Sequence, residues 1–321
     1  MILRRIIKKL IKVSTGCTIL YKTNWYKSLF IDVDHQIYPS NYWYREHDER
    51  NFDLINLGSS GGKWAFNYSG MGIKGMNWAQ QPQTLLADYN LLRNFHSILR
   101  QDGYVLITIM PFTSLNKETE IMDTMKYLKI NSHSPIQPEY LKKARLYEEF
   151  PIIMLKPALK ALVKYVFGLE NKTKKLIEEL DINPMNKEML EKDAIMWIDG
   201  WKKQFNITDL DAPLTAFNQE GRKFRIMLMR KLIDFCLERK YKPIYIIPPV
   251  TQYLSVYFTE SFKNTYIYSF LKDVNREVLL LDYSLNVELT DETLYFNSFF
   301  MNKRGASRFT ERVLKDLGMI K

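Results

Sequence analysis

Apolar positions fall into short continuous runs separated by stretches of helical period. Residues 52–57 (Phe-Asp-Leu-Ile-Asn-Leu) form one such run, broken off by Gly58, and 104–110 (Tyr-Val-Leu-Ile-Thr-Ile-Met) form a second that stops at Pro111. Shorter runs lie at 73–78, at 244–247 before Pro248-Pro249, and at 278–281. Runs of this length, bounded by Gly or Pro, predict buried strands. Between them, Leu85, Leu86, Tyr89, Leu92, Phe95 and Leu99 recur at helical spacing, predicting a helix over 83–101 with Asp102-Gly103 as its stop. A long helix over 214–239 turns Phe217, Phe224, Leu228, Leu232 and Phe235 inward, and further helices are expected near 260–273 and 304–317. Strands alternating with helices predict an α/β fold: a flavodoxin-like three-layer α/β/α arrangement around a parallel sheet. Such sheets bind ligands beyond the carboxyl ends of their strands. That directs attention to 58–62, 78–81, 111–114, 248–252 and the segment after Leu281.

The stretch 113–213 breaks this rhythm. It is rich in Lys and Glu, carries helical patterns, and has prolines at 135, 138, 151, 157, 184 and 213. It reads as a helical insertion between two parts of the sheet. Trp197 and Trp201, four apart on one helical face, read as packing residues. Residues 1–50 read as a lead-in and 51–321 as one α/β domain carrying the insertion. Within the lead-in, residues 1–13 alternate apolar and basic pairs, which on a helix makes an apolar stripe opposite a cationic one. Such a segment suits an anionic membrane surface or packs on the domain with its cations in water.

Composition narrows the classes. Of 321 residues, 46% are hydrophobic, enough for a sizeable core. The net charge is +10, but seven cations precede the first acid, Asp32, so the excess is concentrated at the N-terminus. A nucleic-acid protein would spread its cations along a face, so none is expected as a partner. Two cysteines far apart make a disulfide framework improbable and favour a reducing compartment. With no secretory apolar run after the basic start, the cytoplasmic side is expected, peripheral at the inner face of the membrane if residues 1–13 bind it. No Cys/His cluster has metal spacing, and nothing calls for a cofactor.

Chemistry concentrates at Gly58-Ser59-Ser60-Gly61-Gly62, directly after the first strand. Backbone N–H groups in such a turn can hold an anion or oxyanion, and a serine there could attack an acyl carbon. A Gly/Ser-rich turn after a strand is also often only a turn. Leu57-Gly58-Ser59-Ser60 resembles the nucleophile block of the SGNH (GDSL-like) hydrolases, of the kind found in bacterial cell-surface polysaccharide loci. The resemblance implies Ser60 as nucleophile beside Ser59, Gly75 as an oxyanion donor, Asn77 as a substrate-orienting group and Asn116 near the family's third block. The family's last block is Asp-x-x-His before the final helix. Asn302 and Gly305 match its trailing residues, so Asn297 stands at the aspartate position and Phe300 at the histidine position. Neither side chain can serve as a base, and an unassisted serine is a poor nucleophile. The four histidines are His35, His47, His96 and His133, none in the last 180 residues. Another carboxylate could act instead, Asp282 being one at the end of a strand. Two expectations follow. One is a serine ester hydrolase or O-acyltransferase on acylated cell-surface carbohydrate. The other is a degenerate relative that binds a glycan or a partner at the membrane surface.

Overall fold

The computed structural model describes residues 17–30, 50–115, 121–170 apart from 129 and 131, and 185–321 apart from 285. Asn116, His35, His47 and the basic segment 1–13 lie outside the described residues. In chain order the principal elements are β1 (Phe52–Leu57), α1 (Ser60–Ala65), β2 (Gly75–Asn77), α2 (Leu85–Phe95), β3 (Leu99–Thr108), α3 (Pro138–Glu149), α4 (Lys156–Val166), α5 (Lys187–Phe205), α6 (Ala216–Glu238), β4 (Lys242–Ile247), β5 (Leu279–Asp282) and α7 (Lys303–Asp316). The five strands form one parallel sheet in the order β2-β1-β3-β4-β5. The α/β reading holds, and the order is that of flavodoxin-like sheets. Its switch point lies between β1 and β3, where the chain leaves β1 toward opposite edges of the sheet.

Strand alternation divides the core into two layers. Leu54, Leu106, Ile244 and Ile246 point to one face and bury Ala65, Phe66, Phe309, Val313 and Leu314 from α1, its exit and α7. Ile55, Val105, Ile107 and Tyr245 are buried on the other face. There α6 packs against α2 and β4, and buries Leu228, Met229, Leu232 and Ile233.

Three details differ from the sequence reading. The helix expected over 83–101 ends at Phe95, and Leu99 already pairs with Phe52 in the sheet. Asp102 adopts φ +60° where the β1–β3 register shifts, so Asp102-Gly103 marks an irregularity inside β3 rather than a helix stop. Phe217 and Phe224 are exposed, because the buried stripe at the start of α6 runs through Asn218, Gly221 and Arg222 instead. The insertion also divides. The chain forms two compact units, one containing the described residues 17–30 and 121–170, the other 50–115 and 185–321. The lead-in and the front of the insertion share a unit, while α5 belongs with the sheet.

In the first unit, the Tyr21 and Tyr26 hydroxyls donate to the carbonyls of Glu149 and Glu148, and the Asn24 N–H donates to the Glu170 carboxylate. The first two bonds tie the lead-in to the end of α3, and the third ties it to the segment after α4. Helix α4 buries Ala158 and Ala161 but exposes Leu159, Val163 and Val166, with exposed Leu155 just before it and Phe167 just beyond. Among the described residues no helix is long and apolar enough to cross a membrane.

Candidate functional site

Beyond β1 the chain turns at Gly58, and the reason for glycine there is geometric. Its φ is +137°, and an added Cβ would lie 2.8 Å from the Thr108 Cβ. Gly62, one turn into α1, is equally close to Thr108, whose Oγ1 would lie 2.7 Å from a Cβ. The glycines thus let α1 pack directly on the end of β3, whatever chemistry the turn performs.

The serines part company. Ser59 caps α1 in extended conformation, and its Oγ accepts the N–H of Gln83 at 3.1 Å. Ser60 begins α1, is half-buried, and lines a cavity of about 370 Å³. That volume is in the range of small-molecule pockets. The floor is the Gly58–Gly61 turn together with residues 110–113 after β3, so the cavity opens at the sheet's switch point. One wall is Gln81 to Leu85 and Asp88. The opposite wall is aromatic: Trp197 and Trp201 from α5 lie 5.4 Å apart, and the Phe299 ring is 5.1 Å and 5.0 Å from them.

Among the described residues of the lining, Asp88 and Arg225 are the only charged ones. One Asp88 oxygen accepts the Gly58 N–H at 2.9 Å and the Gln83 Nε2 at 2.6 Å. Burial outweighs those bonds and the nearby Arg225 charge, and pushes the carboxyl up to about 7. Arg225 projects from α6, and burial pushes its guanidinium down to about 10 despite the Asp88 charge. Its Nε is enclosed and has no hydrogen-bond partner. The Trp197 Nε1 and Thr108 Oγ1, on the same walls, are also enclosed and unpaired.

The other expected site residues lie elsewhere or are already engaged. Gly75 opens the edge strand β2 beside Leu54, against the Tyr68 ring, which an added Cβ would approach to 2.5 Å, and it does not line the cavity. Asn77 is fully buried; its amide donates to the carbonyls of Gly62, Lys63 and Phe66, while its oxygen accepts from Asn56 and the Ala79 N–H. It holds α1 on the sheet and has no valence left for a substrate. Asn297 accepts the N–H groups of Phe299 and Phe300, shaping its own turn. Phe300 packs 4.6 Å from Phe299 and 5.4 Å from Trp197, behind the aromatic wall. Asn302 caps α7 through the Gly305 N–H, and Gly305 is required because a Cβ would meet the Leu294 carbonyl.

Among the described residues no histidine lines the cavity. His96 precedes β3, at the opposite end of the strands, with its ring 3.1 Å from the Tyr241 hydroxyl. His133 belongs to the other unit. Asp282 accepts the Ser284 N–H and the Tyr268 hydroxyl at the end of β5 and does not line the cavity. No group of three His, Cys, Asp or Glu suited to a metal occurs among the described residues. The sequence reading singled out neither Asp88 nor Arg225. Asp88 lies within a predicted amphipathic helix, where an acid at a buried position was the available signal.

Comparison with known family models and with curated proteins yields no match.

Proposed function

We propose that this chain is an SGNH-like protein whose cleft binds carbohydrate of the cell-surface kind, and that Ser60 performs no histidine-assisted acyl transfer there. The carrying observation is the company Ser60 keeps. It shares a cavity with Trp197, Trp201 and Phe299 on one side and amide and hydroxyl groups on the other, and no imidazole is among the described lining residues. The C–H face of a sugar ring packs on flat aromatic surface, while its hydroxyls seek amides and carboxyls, so this mixture suits a saccharide. Phe300, at the expected histidine position, extends the aromatic cluster.

A second reading keeps Ser60 as an acyl nucleophile, with Asp88 in place of the histidine. It draws on the position of Asp88, which lines the same cavity and whose carboxyl burial pushes up to about 7, the range suited to a general base. Hydrolysis of an activated aryl acetate by the wild type and by Ser60→Ala separates the two. Equal rates are expected. A rate that disappears in Ser60→Ala, with the thermal midpoint unchanged, would replace binding by esterase or acyltransferase chemistry.

A membrane-surface location is part of the proposal. It is supported by the apolar stripe Leu159, Val163 and Val166 on α4, with Leu155 just before it, which runs beside exposed Lys156, Lys160 and Lys164.

A further inference from the structure

Arg225 is unusual among the cations of this chain. Most arginines described in the structure are committed: Arg222 to Asp273, Arg276 to Asp234, Arg312 to Asp316. Arg225 makes no hydrogen bond or close ion pair with any described residue, its Nε is enclosed, and its guanidinium lines the cavity that holds Ser60. Arg225 is half-buried, with its Nε drawn out of water and no acid in contact, whereas a structural role would give such a guanidinium a touching carboxylate. Asp88 is near enough for their charges to interact but does not reach it. Asp88 spends one oxygen on the Gly58 N–H and the Gln83 amide instead. The planar fork of a guanidinium matches the two oxygens of a carboxylate or phosphate.

We infer that Arg225 is the receiving group for an oxyanion on the ligand, so that the cavity takes an acidic saccharide, one bearing a carboxylate or a phosphate, rather than a neutral one. This rests on the carbohydrate reading for the sugar but not for the anion. Around Arg225 the other described lining residues, from the β1 turn, α2, α5 and the 297–300 turn, are uncharged except for Asp88. An anion and an ionised Asp88 would repel each other, so the anion favours the protonated acid.

The test measures thermal midpoints and tryptophan fluorescence of the full chain with acetate or inorganic phosphate at pH 6, against chloride at equal ionic strength. Either oxyanion is expected to raise the midpoint by a few degrees beyond chloride. Acetate alone would indicate a carboxylate ligand, phosphate alone a phosphate one. Arg225→Gln should weaken binding at least tenfold, and Arg225→Lys should retain part of it, which separates lost charge from misfolding. Acetate keeps its own charge between pH 6 and 8.5, so its binding should weaken over that interval in the wild type and not in Asp88→Asn. No effect beyond chloride, or an unchanged response in Arg225→Gln, overturns the inference. A parallel titration with glucose and glucuronate, read by tryptophan quenching, keeps the two ideas apart. If oxyanions bind but neither sugar does, the carbohydrate reading fails alone. If glucose binds as well as glucuronate, the oxyanion inference fails alone.

Discussion

At the scale of single residues, the serine block is built as much by packing as by chemistry. Gly58 combines a positive φ with contact against Thr108, so Gly58→Ala is expected to cost about 2 kcal/mol or more, measured by chemical denaturation. Asp88 makes a pH prediction. An unfolded aspartate gives up its proton near pH 4, whereas folded Asp88 keeps it up to about 7. Between those values the folded chain binds the extra proton, so Asp88 lowers stability as pH rises through about 4 to 7 and adds no further change above. The midpoint of Asp88→Asn relative to wild type should therefore be higher at pH 8 than at pH 4 by several degrees. An equal difference at both would mean that the carboxyl titrates normally. Much of the residue-level pattern was legible: the turn after β1 and the absence of a histidine near the final helix are visible in the chain. The roles of Asn77 and Asn297 were not, because an amide that orients substrate and one that caps backbone groups read alike in sequence.

At the scale of elements, helical period predicts existence better than boundaries. Helix α2 was expected to run on to residue 101, yet Leu99 is taken by the sheet, since pairing with Phe52 satisfies backbone groups that a further turn would leave at the helix end. Helix α6 was phased correctly only in its second half, where Leu228, Leu232 and Phe235 meet the core. Helix α4 carries the clearest element-level prediction. Its exposed apolar stripe and adjacent lysines should bind anionic surfaces, each lysine near the surface adding about 1 kcal/mol. Co-sedimentation with phosphatidylglycerol vesicles is expected to fall when Leu159 and Val163 become glutamate, and to be weak with phosphatidylcholine. If the double variant sediments as fully as the wild type, α4 is not the contacting element.

At the scale of the whole molecule, the cavity is assembled from places far apart in the chain: the turn after β1, the start of α2, the end of β3, α5, the middle of α6 and the turn before α7. The sheet order puts the first and third of these together, because β1 and β3 are neighbours at the point where the strand order reverses. The sequence by itself determined the α/β class, the parallel sheet, the serine turn beyond its first strand and the absence of histidine from the last 180 residues. These depend on local runs of apolar residues, on turn residues and on which side chains exist at all. Only the tertiary structure decided that α5 joins the sheet unit while the front of the insertion joins the lead-in, and that Trp197 and Trp201 wall a cavity. It alone brought Asp88 and Arg225 into one cavity with Ser60. Those outcomes depend on contacts between residues about 30 to more than 100 positions apart, and hydrophobic period reports which face of a helix is buried but not what it is buried against.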